Sequence, residues 1–230
     1  MAIFIVRHGE SVGNVDIKNY QKIADHSFSL TETGVGQARE AAKLISCSTE
    51  TLWHSGRSIT VWNSPFERAR HTSDVIFDVL KEREHVLTKR IESPLIIEKQ
   101  YGLYNSIAGE GEYFGESFEE HFPKYTEEYR RCDEYNGRFF ARPPGGESDF
   151  DVFQRCEIFW EKLHRFDSVR KNHHVIVCHG TTMRLLAMAY LDKPYEWFQK
   201  SKLPKNGSVI VPRLGILRED LGFDPIVEEE

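Results

Sequence analysis

Three stretches of this 230-residue chain set polar groups directly after an apolar run, with histidine or arginine at or near each. Arg7-His8-Gly9-Glu10-Ser11 follows AIFIV. Asn63-Ser64-Pro65 follows the run from Ile59 to Trp62, with Arg68 one helical turn on. His179-Gly180-Thr181 follows HVIVC, and Glu98 follows LII. Taken singly, such a histidine reads as a half-buried polar residue and such an arginine as a surface charge. Three strand ends of the same kind read as one site. Two arginines offer forked donors that match phosphate oxygens. A neutral histidine is a nucleophile, and a carboxylic acid can protonate a leaving oxygen. Helix N-termini after Ser64 and Gly180 would add backbone donors for an anion. The set describes phosphoryl transfer through a phosphohistidine, without a metal.

These groups need elements to carry them. Residues 2–6 read as a strand buried on both faces. The pattern predicts a helix from Thr31 to Ile45, capped by Thr31 or Thr33, and a strand from Ile59 to Trp62. Ser64 is the expected cap of the next helix, with Pro65 in its first turn. Leu95 to Ile97 reads as a short strand or an extended segment. A long helix is predicted from Phe150 to Val169, a strand from His174 to Cys178 and a helix from Thr182 to Leu191. Ser208 to Val211 and Gly215 to Leu217 are expected to close the sheet as a hairpin. The alternation predicts a three-layer α/β/α sandwich with a mainly parallel sheet, whose ligands gather beyond the carboxyl ends of the strands.

Residues 103–146 break the alternation with glycines, acidic residues and aromatics. They are too aromatic for a disordered linker and read as a partly helical lid inserted into a single domain spanning 1–230. Phe118, Phe122, Tyr125 and Tyr129 fall at helical spacing and are expected to form the lid's own core.

Composition narrows the partners. The net charge of -6 argues against a nucleic-acid binder. No run approaches the ~20 apolar residues of a membrane span, and MAIFIV is too short for a signal peptide, so the expected location is the cytoplasm. Cys47, Cys132, Cys156 and Cys178 show no zinc-ligand spacing and read as reduced thiols; the ten histidines suggest no metal site. Oligomeric state is not legible.

The motifs together resemble the histidine phosphatase superfamily, which includes cofactor-dependent phosphoglycerate mutases. RHGESVGN (7–14), LTETGVGQA (30–38), SPFERARHT (64–72), EKQYG (98–102), GGES (145–148) and HGTTMR (179–184) occur in the family's order across most of the chain. The resemblance implies that His8 attacks phosphorus. It implies that Arg7, Arg68 and His179 hold the phosphoryl oxygens with Asn14, and that Glu98 protonates the leaving group and then activates water. No metal or cofactor is implied. Ser11, Gly180, Thr181 and Tyr101 are expected to line the substrate. Glu110, Glu112 and Glu116 compete with Glu98 for the acid role, whereas Glu147 reads as a supporting residue and Ser148 as a helix cap. His26, His71 and His173 read as surface or solvated residues.

The expected activity is hydrolysis of a small-molecule phosphomonoester or a phosphoprotein. The run from Arg142 to Ser148 resembles a branch of small phosphatases. The alternative is a phosphoglycerate mutase, favoured by Tyr101 and the Arg130-Arg131 pair. A non-catalytic phospho-ligand module is disfavoured, because no expected catalytic residue is missing.

Overall fold

The computed structural model describes residues 1–52, 57–102, 122–166 and 172–212. Five strands form one sheet in the order β3-β2-β4-β1-β5. They are β1 (Ile3–Arg7), β2 (Ile59–Asn63), β3 (Leu87–Glu92), β4 (His173–Cys178) and β5 (Val209–Ile210). The first four run parallel, and β5 pairs antiparallel with β1. The described helices are α1 (Val12–Val15), α2 (Glu32–Leu52), α3 (Glu67–Glu82), α4 (Pro123–Asn136), α5 (Asp149–Phe166), α6 (Gly180–Tyr190) and α7 (Tyr195–Lys200).

The layers follow from strand alternation. Phe4, Val6, Val61, Val175 and Val177 face α2 and α3, where Ala41, Ala42, Ile45, Ala69, Ile76 and Leu80 are buried. Ile3, Ile5, Trp62, Ile176 and Cys178 face α5 and α6, against Val152, Phe159, Leu163, Leu185 and Leu186. Helices therefore cover both faces, and the three-layer α/β/α expectation holds.

Several local expectations change. Residues 94–96 form a 3-10 turn and not a strand. The strand β3, LTKRIE, is mostly exposed and charged, so it lacks the apolar signature of its buried neighbours. The predicted partner at 215–217 and the competing glutamates 110, 112 and 116 lie outside the described residues, as does Phe118. Helix α4 buries none of its residues, and Tyr125 is exposed, so the expected lid core is not present there. His173 is buried, not solvated. Its Nδ1 accepts the Ala2 N–H at 2.9 Å, and burial, with the nearby N-terminal amine, pulls its pKa down to about 4.

Candidate active site

Parallel pairing of β1 with β4 sets Arg7 beside Cys178. The next residue on each strand is a histidine, so His8 and His179 leave the sheet side by side. Their rings lie 5.1 Å apart, inclined at 63°. Two bonds extend the ladder past the strand ends: His8 N–H donates to Cys178 O and Ser64 N–H to Val177 O, both at 3.0 Å. Three strand ends expected to share a site do meet.

Hydrogen bonds hold both rings, and those of His8 assign its proton. His8 Nδ1 sits 2.7 Å from the carbonyl of Gly9, an acceptor, so Nδ1 carries the hydrogen. Nε2 then presents its lone pair, and it accepts Arg68 Nε–H at 3.2 Å. His179 Nε2 lies 2.8 Å from Ser64 Oγ, which itself accepts the Phe66 N–H at 3.3 Å. Ser64 thus links His179 to the Phe66 main chain. His179 Nδ1 and Arg7 Nε are both buried and have no hydrogen-bond partner among the described residues. Burial, reinforced by the Arg68 charge, holds both imidazoles well below their ordinary pKa, so both are neutral near pH 7.

The neighbouring motif residues act through backbone. Gly9 and Gly34 pack back to back: a Cβ on Gly9 would lie 2.2 Å from Gly34 O, and one on Gly34 would lie 2.1 Å from Glu10 O. Thr72 Oγ accepts Gly9 N–H at 3.0 Å while donating to Arg68 O at 2.7 Å, which ties α3 to the histidine loop. Gln37 Oε1 accepts Glu10 N–H at 2.8 Å. Arg7 Nη1 donates to Pro204 O, and Gly207 N–H donates to the carbonyls of Arg7 and His8. Ser64 does not cap α3, which begins at Glu67 with Pro65 ahead of its first turn. It positions His179 instead. Ser11 Oγ donates to Asn14 Oδ1 at 3.0 Å, and that oxygen also accepts from Asn206. Asn14 and Ser11 thus brace the loop.

Glu98 sets its carboxyl group at the N-terminus of α6. Its Oε2 accepts Thr181 N–H and its Oε1 accepts Thr182 N–H, both at 3.3 Å, and Lys99 N–H adds a bond at 2.9 Å. The helix end expected to receive phosphate therefore receives this side chain. Glu98 also lies within electrostatic reach of Arg7 and Tyr101. Glu147 braces the segment as expected: it accepts Gln100 N–H at 2.9 Å and pairs with Arg155, which donates to Leu95 O. Ser148 caps α5 through the Asp151 N–H at 3.1 Å.

Beyond Glu98 opens a cavity of about 570 Å³. Tyr101 and Thr181 line it together with Tyr129, Phe139 and Phe198. Among the described lining residues Lys99, Arg138 and Arg184 stand with one carboxylate, Asp149, which Lys99 holds at 2.9 Å. Among the described residues Arg184 bonds two neutral groups, Ser201 Oγ and Phe198 O, and stacks 4.0 Å over Phe198. Arg130 and Arg131 both bond Glu127 and are not among the described cavity residues.

The family model for the histidine phosphatase superfamily (branch 1) matches residues 3–215. The chain belongs to this superfamily. It is 31% identical to the phosphoglycerate mutase-like protein AT74 of Arabidopsis thaliana, over 93% of this chain and 65% of that protein. The chain thus spans about two thirds of that relative's length. It is 26% identical to the broad-range acid phosphatase DET1 of Saccharomyces cerevisiae, with 92% of this chain and 85% of that one covered. The alpha-ribazole phosphatase from Shigella flexneri shares the fold with a TM-score of 0.63 at 23% identity, covering 91% of this chain and 88% of that one. The superfamily relatives thus include both phosphatases and mutase-like proteins.

Sequence reasoning missed Asp25 and Tyr20, which the loop between α1 and α2 brings to the cradle. Asp25 Oδ1 lies 2.9 Å from Arg68 Nη1. Tyr20 lies within electrostatic reach of Arg7, Asp25, Arg68 and Glu98, and burial pushes its phenol up to about 12. No periodic or motif signal marks either residue. Lys99 and Arg184 stood inside matched motifs without a role. Among the described helices none is long and apolar enough to cross a membrane.

Proposed function

We propose that the protein is a metal-independent phosphomonoester hydrolase that works through a phosphohistidine on His8. The carrying observation is the tautomer of His8, whose Nε2 presents a lone pair beside Arg68 Nε, while His179 Nδ1 and Arg7 Nε lie buried with no hydrogen-bond partner among the described residues. In the first step His8 Nε2 bonds to phosphorus, the ester P–O bond breaks, and protonated Glu98 gives its proton to the leaving oxygen. In the second, Glu98 takes a proton from water, the water oxygen bonds to phosphorus, and the N–P bond breaks. Arg7, Arg68 and His179 donate to the oxygens on which charge develops, and these donors are already in place. The whole chain, 1–230, acts as one domain in this reading, with residues 103–146 as the lid.

The substrate is a small phosphomonoester, and the cavity describes its leaving group. Among the described lining residues three cations stand against one carboxylate, which favours a second anionic group, a phosphate or a carboxylate, on a carbon framework that contacts Tyr101 and Phe198. A phosphoglycerate also fits this description, so the mutase remains the second reading; the placement of Arg130 and Arg131 on Glu127 speaks against it.

The test is turnover of a phosphomonoester panel that includes phosphoglycerates, with chelator present. Free phosphate and isomerised product are scored separately. Phosphate release that survives chelator is the expected result. Isomerisation with little free phosphate would reverse the assignment.

A further inference from the structure

Arg68 meets an acidic partner on the side away from His8. Its Nε donates to His8 Nε2 at 3.2 Å, and its Nη1 contacts both the carboxylate of Asp25, at 2.9 Å, and the Asp25 main-chain carbonyl. No hydrogen bond to Nη2 occurs among the described residues. Arg68 is 3% exposed and Asp25 13%, so the pair is shielded from solvent and little screened. The guanidinium also lies 5.1 Å over Phe66 and 5.9 Å from Phe28, so packing as well as charge holds it. Asp25 opens a 3-10 turn whose next residue, His26, packs on Phe66.

A pocket meant to receive an anion thus keeps a carboxylate against one of its two arginines. This has two opposing effects. The carbonyl and carboxylate together fix the guanidinium, with Nε on the attacking nitrogen and Nη2 uncommitted. The carboxylate charge repels a phosphoryl dianion held by the same arginine.

We propose that Asp25 is a positioning residue that weakens the cradle's hold on inorganic phosphate, so that the product leaves once the phosphohistidine is hydrolysed. It touches neither reacting atom and acts through Arg68. The proposal rests on reading the cradle as a phosphoryl pocket, so its test measures binding without turnover.

Calorimetric titration of wild type, Asp25→Asn and Asp25→Ala with inorganic phosphate, at one pH and ionic strength, separates the effects. Asparagine keeps the shape of the side chain and the main-chain carbonyl that accepts from Arg68, and loses the charge. Its phosphate Kd is expected to fall about tenfold, near 1.4 kcal/mol. On an aryl phosphate its kcat and KM should fall together, leaving kcat/KM within about twofold. Alanine also loses orientation and should gain less; if the asparagine variant does not fold, alanine must still bind phosphate more tightly than wild type. A purely structural role predicts the reverse sign, weaker phosphate and a lower kcat/KM. Measurable wild-type binding with an unchanged or raised Kd in a folded Asp25→Asn overturns the proposal alone. No phosphate binding in any of the three proteins overturns the phosphoryl pocket and the proposal with it.

Discussion

The cradle and the cavity beside it are built in opposite ways. His8, Arg68 and His179 are at most 3% exposed, and each emerges from a strand end or the helix after it. Their partners are largely fixed atoms: the Gly9 carbonyl, the Asp25 carbonyl and a serine held by a main-chain N–H. The cavity side is open. Tyr101 is 38% exposed, α4 buries nothing, and the cations there belong to a loop, a turn and a helix. Positioning a reactive nitrogen demands rigid support. Choosing a leaving group demands only a wall of suitable charge and shape, which is easily altered. The same chemistry can therefore be kept while the substrate changes.

Five substitutions probe this contrast, the largest effect first. His8→Ala should lower phosphomonoester turnover on the order of 10⁴-fold or more with the fold intact, since it removes the nucleophile itself. Wild-type turnover in that variant would place the reaction elsewhere. Glu98→Gln should cost about 10²- to 10⁴-fold on esters with poor leaving groups. Activated aryl phosphates should lose much less. Equal losses on both would move the acid role to another residue.

Arg184→Gln should act on binding, raising KM roughly 10- to 100-fold for a substrate with a second anionic group, as expected for a lost charged hydrogen bond of roughly 1.5–3 kcal/mol. The KM of an aryl phosphate with no second charged group should stay put. A parallel rise for both would show that the arginine merely props the cavity wall. Gly34→Ala lies far from any leaving group, yet it places a Cβ against Glu10 O and should cost about 1–3 kcal/mol in denaturant unfolding. An unchanged midpoint would mean that the loop yields and the cradle is softer than its contacts indicate.

The last is a pH effect. His8, His173 and His179 bind protons less readily folded than unfolded. Below the unfolded value, near 6.5, the unfolded chain holds more protons, so their contribution makes stability fall as pH falls. His173→Gln should remove about one proton, roughly 1.4 kcal/mol per pH unit, from that slope between pH 6.5 and about 4. Identical slopes for variant and wild type would sink the assignment.

The cradle was legible because two signals coincide at β1, β2 and β4: an apolar run that must be buried, and a polar group directly after it. The motif resemblance then supplied roles for Arg7, His8, Arg68, Glu98 and His179. Partners were less legible. Ser64 looks like a helix cap in sequence, yet it serves a histidine 115 residues away. Asp25 sits in an irregular loop, where a single carboxylate carries no periodic signal, and its ion pair with Arg68 spans α2 and β2. The strand β3 was missed for a related reason: at the sheet edge its side chains meet solvent, and charge replaces the apolar pattern.

The contact of residues 204–208 with the histidine loop has a consequence for biogenesis. Arg7 donates to Pro204 O, and His8 O receives Asn206 from 198 residues downstream. A ribosome releases the nucleophile long before it releases the segment that closes over it. Pairing so remote in sequence carries a large loop-closure cost, which slows folding. A nascent chain halted before residue 204 can lay down much of the parallel sheet, but its nucleophile loop lacks these closing bonds. Closure of the site is thus timed to the arrival of the distal strand.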